Sequence, residues 1–333
     1  MSNNKDNKLN QKSTSAPAII AILLAACMWG SIGIFIRYFT DLEYSPLTIV
    51  FARMSISFVI TFVVILIFKR DLLRIKLKDL WCFIGTGFTS AIALNLFFSM
   101  SVVMNSLSLA AILLATAPLF VVLIAAPLFK EKITPVKLQA LVIALIGCVL
   151  TSGIIGQNTS FSLPGIMIGV AAGVGYALYS IFTKAALNKG YDSLTVNVYS
   201  FGIGSIFCIP FTNFGVISNS FAIVGNILLI MLILHALFGA LLPYLLYTYG
   251  LKYIDAGKAS ILVSCEPVAA TIFGIFLYSE IPGPISVIGI AIVLFALVLL
   301  NLPEGFHTFL PGRKTDPASD CQEPTEQNPP QNQ

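Results

Sequence analysis

Glu266 lies about halfway along an apolar run, ASILVSCEPVAATIFGIFLYSE, with Pro267 beside it. A carboxylate in such a run costs roughly 2.5–3.5 kcal/mol on insertion scales, so it calls for a reason. Two readings are open: a proton acceptor or partner for a cationic group, or a structural carboxyl that bonds across helices beside a proline kink. His235 is the only histidine within the apolar segments. It is either a proton shuttle or substrate contact, or a neutral imidazole bonded to a neighbouring helix. His235 and Glu266 would form a relay if the fold brought them together.

Other side chains in the apolar runs can touch a polar solute. Arg53 falls one to two turns from the outer end of the second run. There it snorkels outward and pairs with Asp41 or Glu43, or it recruits an anionic group such as a carboxylate to the outer mouth. Trp29 is about twelve residues into the first run, whereas indoles usually sit at the membrane interface. With Asn95, Tyr176, Tyr179 and Tyr244 it is a candidate cavity wall, the alternative being interhelical packing with satisfied polar tips. Tyr247, Tyr249 and Tyr253 cluster near the inner surface and read as an aromatic belt, and Lys258 as an inner anchor. Gly165, Gly169 and Gly173 make a small-xxx-small stripe suited to close helix packing.

The elements that must position these residues follow from composition. The 333-residue chain is 57% hydrophobic and 10% charged, with a mean hydropathy of +0.91. That excess of apolar surface excludes an ordinary soluble protein. It is divided into runs of about 20 residues, the length that crosses a bilayer as a helix. Ten spans are expected: 18–37, 46–68, 80–103, 107–129, 135–154, 163–184, 194–212, 225–250, 256–278 and 284–302. The first is too long for a signal-peptide core and is read as a retained span. Residues 1–16 and 303–333 are polar and expected to be disordered cytoplasmic tails. Cys27, Cys82, Cys148, Cys208 and Cys265 stand singly in apolar runs and Cys321 in the polar tail. No Cys/His spacing suggests a metal or redox site, and no cofactor is expected.

Charge sets the expected orientation. With the N-terminus inside, inner segments hold 17 of the 19 lysines and arginines, leaving Arg37 and Arg53 for the outer half. The outer loops carry Asp41, Glu43, Gln157, Asn158 and Glu280. The positive-inside rule places both termini in the cytoplasm.

The chain also matches itself. LLATAPLF (113–120) answers LVSCEPVA (262–269), aligning Pro118 with Pro267 at an offset of 149 residues. The same offset pairs Glu131 with Glu280, Pro135 with Pro284 and Ala110 with Ala259. Upstream, a slightly smaller offset aligns the segment around Ala26, Trp29 and Gly30 with that around Ala172, Gly175 and Tyr176. Five spans per unit is an odd number, so the second unit enters from the opposite face, an inverted repeat of the kind transporters use. Pro118 and Pro267 each remove a helical hydrogen bond, giving paired kinks suited to gating or to a static bend. The carboxylate of Glu266 answers Ala117 and so belongs to one half alone.

MWGS (28–31), FAR (51–53), AAILLATAPLF with Glu131, and PYLLYTYGLKYIDAGKASILVSCEPVAATIFGIFLYSE (243–280) resemble EamA-type transporters of the drug/metabolite transporter superfamily. The resemblance covers about residues 17–302. It implies an all-α polytopic protein of ten transmembrane helices in a 5+5 inverted repeat. One five-helix unit would span 17–154 and the other 163–302. It also implies a cytoplasmic-membrane location and a central cavity lined by the first, third, fourth, sixth, eighth and ninth helices. The expected function is secondary transport of a small organic metabolite such as an amino acid or drug, by alternating access, with protons as a candidate coupling ion. Monomer and homodimer are both open. The competing readings are an intramembrane enzyme and a receptor without transport. No G-x-x-x-x-G-K-[ST], H-E-x-x-H or G-x-S-x-G pattern favours ATP hydrolysis or an enzyme, and no nucleic-acid partner is expected.

Overall fold

A computed structural model describes residues 3–105, 107–151, 162–278 and 283–301. The outer-loop residues Gln157, Asn158 and Glu280 and the tail 303–333 lie outside them. Among the described residues, eight helices are long and apolar enough to cross a membrane. They are α1 (Ala16–Asp41), α2 (Pro46–Phe68), α3 (Leu77–Met104), α4 (Leu109–Phe129), α6 (Leu163–Asn188), α7 (Ser193–Phe211), α8 (Asn226–Tyr253) and α9 (Ala256–Leu277). Two shorter apolar helices, α5 (Pro135–Thr151) and α10 (Pro284–Asn301), pack side by side. At 17 and 18 residues they reach about 25–27 Å, close to the roughly 30 Å hydrocarbon core.

Starts and stops follow local chemistry. Ser45 accepts the Thr48 N–H ahead of Pro46, Ser162 accepts that of Gly165, and Asp192 that of Leu194. Helical backbone begins upstream of α1, at Asn3, in the segment expected as a tail. A further helix, Phe214–Val224, occupies what the sequence reading left as a loop before the eighth span. Asn213 caps its start, and Gly225, at φ 62°, turns the chain at its end.

The packing has a twofold pattern. α1 packs on α8 and α9, while its counterpart α6 packs on α3 and α4. α2 meets α7, and α5 meets α10. The result is an all-α membrane protein of two repeated halves whose first helices are each seated against the other half.

The helices at these contacts are interrupted in matching places. α4 breaks at Thr116, and α9 passes through a 3-10 turn at Val263–Cys265. Pro118 and Pro267 each stand in the first turn of the helix that resumes, where a missing N–H is tolerated. α3 and α8 each widen into a π segment, Thr89–Leu96 and Leu237–Leu241. Carbonyls at these places find side-chain partners: Asn95 Nδ2 donates to Ser90 O, and Ser57 Oγ to Ala236 O at 3.1 Å. π segments are frequent at functional sites.

The glycine stripe of α6 faces α3 and α4. Positions for a β-carbon on Gly165 and Gly169 are taken by Asn105 and Leu113, while one on Gly173 would lie 3.1 Å from the Leu113 carbonyl and Thr116 Oγ1 at the α4 break.

Candidate functional site

Trp29 of α1 is the hub of an aromatic cluster. Its ring meets Tyr244 edge-on at 5.5 Å and leans on Tyr247, also at 5.5 Å. Tyr179 of α6 packs against both tyrosines, and Phe201 of α7 against Tyr244. Four helices thus contribute to one buried wall. Ser180 and Tyr247 share a hydrogen bond of 2.8 Å. The hydroxyls of Tyr176 and Tyr179 are buried without a partner at hydrogen-bonding geometry.

Tyr244 links this wall to a charged centre. It lies within electrostatic reach of Arg53 on α2 and Glu266 at the α9 break. Arg53 is 6% exposed, so it does not snorkel outward to Asp41 or Glu43. Its Nη2 donates to Asn95 Oδ1 at 3.1 Å, and its Nε has no partner. The reason is local: α2 is packed between α7 and α8, and the π segment of α3 turns Asn95 toward the guanidinium. Glu266 is half-buried and within reach of Arg53 and Tyr176, and it resumes α9 immediately after the 3-10 turn.

His235 stands apart. It is fully buried at the end of α8's first stretch, against Phe35 at 5.1 Å and Phe39 at 5.5 Å. Among the described residues neither ring nitrogen has a hydrogen-bond partner, so no bonded relay to Glu266 is formed.

Of the expected site residues, Trp29, Tyr179 and Tyr244 form one cluster, and Arg53, Asn95 and Glu266 gather beside it. Pro118 and Pro267 stand at the two helix breaks, Pro267 directly after Glu266. Tyr247 is buried in the cluster and does not join Tyr249 and Tyr253 as expected from their shared stretch of sequence. Tyr249 and Tyr253 are exposed and paired at 5.0 Å. The missed signal was spacing. Tyr244, Tyr247 and Thr248 are three and four apart on one helical face, and Tyr249 and Tyr253 share another.

A polar cluster occupies the end of the bundle where α4, α5 and α9 meet. The Ala256 and Gly257 N–H groups donate to Glu131 Oε1 and Oε2 at 2.7 and 3.1 Å. Lys137 Nζ is 3.7 Å from Glu131 and 3.4 Å from Asp255. Nearby, Lys184 donates to the carbonyls of Leu251 and Ile254 at the end of α8. Lys258 is half-buried beside Asp255 and Lys137.

Comparison with known proteins agrees with this architecture. The model of the EamA-like transporter family matches residues 16–153 and again 163–302. An uncharacterized transporter of Archaeoglobus fulgidus is 26% identical over 288 residues, 84% of this chain and 97% of the relative. The uncharacterized inner membrane transporter YicL of Salmonella typhimurium is 23% identical over 289 residues, 85% and 95% of the two chains. YetK of Bacillus subtilis, an uncharacterized transporter, is 25% identical over 253 residues, 74% and 76%. A solved crystal structure superposes with a TM-score of 0.70 at 15% identity, covering 86% of this chain and 96% of its own, which shows a shared fold. With two copies of the family's unit covering nearly all of the described helices, the chain belongs to the EamA-like transporter family.

Proposed function

We propose that the protein is a secondary transporter that moves a small organic metabolite across the cytoplasmic membrane by alternating access. The substrate site lies between the Trp29–Tyr179–Tyr244–Tyr247 wall and the Arg53–Asn95–Glu266 centre. The observation that carries this reading is the matched set of discontinuities: breaks in α4 and α9, π segments in α3 and α8, each pair related by the repeat. Interrupted helices at membrane depth are tolerated where protein or a cavity satisfies the backbone. In repeat-built transporters they form the site around which the halves rock. Both termini lie in the cytoplasm on this reading, from the distribution of lysine and arginine.

Protons are the coupling ion, and Glu266 is their carrier. It is an ionisable group at a helix break within electrostatic reach of Tyr176 and Tyr244, whereas His235 is enclosed by Phe35 and Phe39.

The test is a metabolite uptake screen in proteoliposomes, with and without an imposed pH gradient. Flux that the gradient accelerates is the expected result. Glu266→Gln removes the acceleration and His235→Gln keeps it. An absence of flux for every candidate would overturn transport. If neither replacement changes the response to the gradient, proton coupling through these residues is wrong.

A further inference from the structure

We infer that Arg53 and Asn95 form an anion anchor and that the transported molecule carries a carboxylate. This rests on the transporter reading and adds the chemical class of the cargo. The first observation is an uncompensated cation. Arg53 is 6% exposed, yet no carboxylate among the described residues comes within ion-pair distance of it. Glu266 acts on it only at longer range. Buried charges are ordinarily paired, because an isolated one is strongly disfavoured at membrane depth.

The second observation is a donor left over. A guanidinium has five N–H donors in a fixed fork, which matches a carboxylate. Nη2 is engaged by the Asn95 amide oxygen, and Nε is buried with no acceptor among the described residues. Asn95 is itself held by the Ser90 carbonyl of the π segment, so its oxygen is fixed toward Arg53. A neutral amide orients the guanidinium without neutralising it. A carboxylate brought by a ligand would supply the close counter-charge that Glu266, acting at longer range, does not. Tyr244, within reach of Arg53 and in edge contact with Trp29, brings the apolar wall alongside, which suits an organic acid with an apolar body.

Three compounds on one skeleton separate the possibilities: 3-phenylpropionate, phenylalanine and 2-phenylethylamine. Binding is read as stabilisation of the purified full-length protein in lipid nanodiscs, and flux in sealed proteoliposomes. The acid and the zwitterion are expected to bind, and the amine is not. Arg53→Gln weakens carboxylate binding by about thirtyfold or more, as removal of one partner of a buried charged pair does. Asn95→Asp is the variant that keeps the fold testable, since it supplies a counter-ion where an amide stood. It is expected to abolish carboxylate binding while holding or raising the thermal midpoint.

The anchor is overturned if the amine binds as well as the acid, or if no carboxylate binds wild type at millimolar concentration. It is also overturned if either variant binds carboxylate as wild type does. Flux of the amine without carboxylate binding would overturn the anchor and leave transport standing. Carboxylate binding without flux of any compound would support the anchor and count against transport.

Discussion

Gly30 lies directly against the break in α9: a β-carbon built on it would fall 2.9 Å from the Glu266 carbonyl oxygen and 2.8 Å from the Ala269 β-carbon. On the other side of the repeat, Gly173 of α6 faces the α4 break more loosely. Its β-carbon would lie 3.1 Å from both the Leu113 carbonyl oxygen and Thr116 Oγ1. The two glycines meet the matching breaks of α9 and α4 with unequal tolerance. Gly30→Ala is therefore expected to destabilise by about 1–3 kcal/mol through overpacking. Gly173→Ala should be close to neutral, because a gain of up to about 1 kcal/mol in helix propensity offsets a mild squeeze. Thermal unfolding of the two purified variants checks this, and the reverse order would refute the packing account.

Apolar run length made the membrane helices legible in the sequence, and the self-match of Pro118 with Pro267 made the halves legible. Trp29, Tyr244 and Glu266 could be singled out because an indole, a phenol and a carboxylate are unusual at that depth. What the sequence did not carry was rotation about each helix axis. Arg53 was judged by its distance from a helix end, but the helix face it occupies turns it inward to Asn95. Likewise the π segments have no apolar-period signature, so the arrangement that aims Asn95 was invisible. The pairing of His235 with Phe35 and Phe39 depends on how α1 and α8 meet, which no single helix encodes.

Tyr247 and Tyr249 provide a contrast between two faces of α8. Tyr247 is fully buried and bonded to Ser180, while Tyr249 is 40% exposed. Tyr247→Phe keeps the ring stack with Tyr179 and loses one buried hydrogen bond, worth about 0.5–1.5 kcal/mol. Tyr249→Phe should leave the unfolding midpoint unchanged. Equal effects of the two substitutions would return Tyr247 to the interfacial belt.

Lys189 gives a pH dependence outside the membrane spans. Its Nζ lies 2.6 Å from Asp79 Oδ1, and Tyr191 Oη donates to Asp79 Oδ2 at 2.8 Å. The hydrogen bond to Asp79 holds the lysine above its ordinary pKa. A raised lysine pKa means that the folded state binds the proton more tightly than the unfolded state does. The stabilisation is thus fully present below the ordinary lysine pKa, and is lost as pH rises through the raised one. Wild type should exceed Lys189→Met in thermal midpoint by a constant margin at neutral to mildly alkaline pH. The margin should vanish in strong alkali. A margin that widens with pH would contradict the pairing.

Glu131 ties the start of α9 to the rest of the bundle, and its removal should loosen that end alone. Its carboxylate caps the Ala256 and Gly257 N–H groups, where the helix dipole favours negative charge, and it faces Lys137 with both side chains buried. Asp255 precedes the helix but gives no side-chain cap, since its carboxylate is turned to Lys137. Any rocking of the halves that opens this end must separate Glu131 from α9. Glu131→Ala removes one partner of a buried pair, an effect of about 3–5 kcal/mol. Amide hydrogen exchange at residues 256–258 should quicken by at least about a hundredfold, while exchange beyond the α9 break stays as in wild type. Glu131→Gln keeps an acceptor for one amide and should fall between the two. Uniform acceleration along α9 would mean that Glu131 supports the fold generally, whereas acceleration confined to its first turn identifies it as the latch of that end.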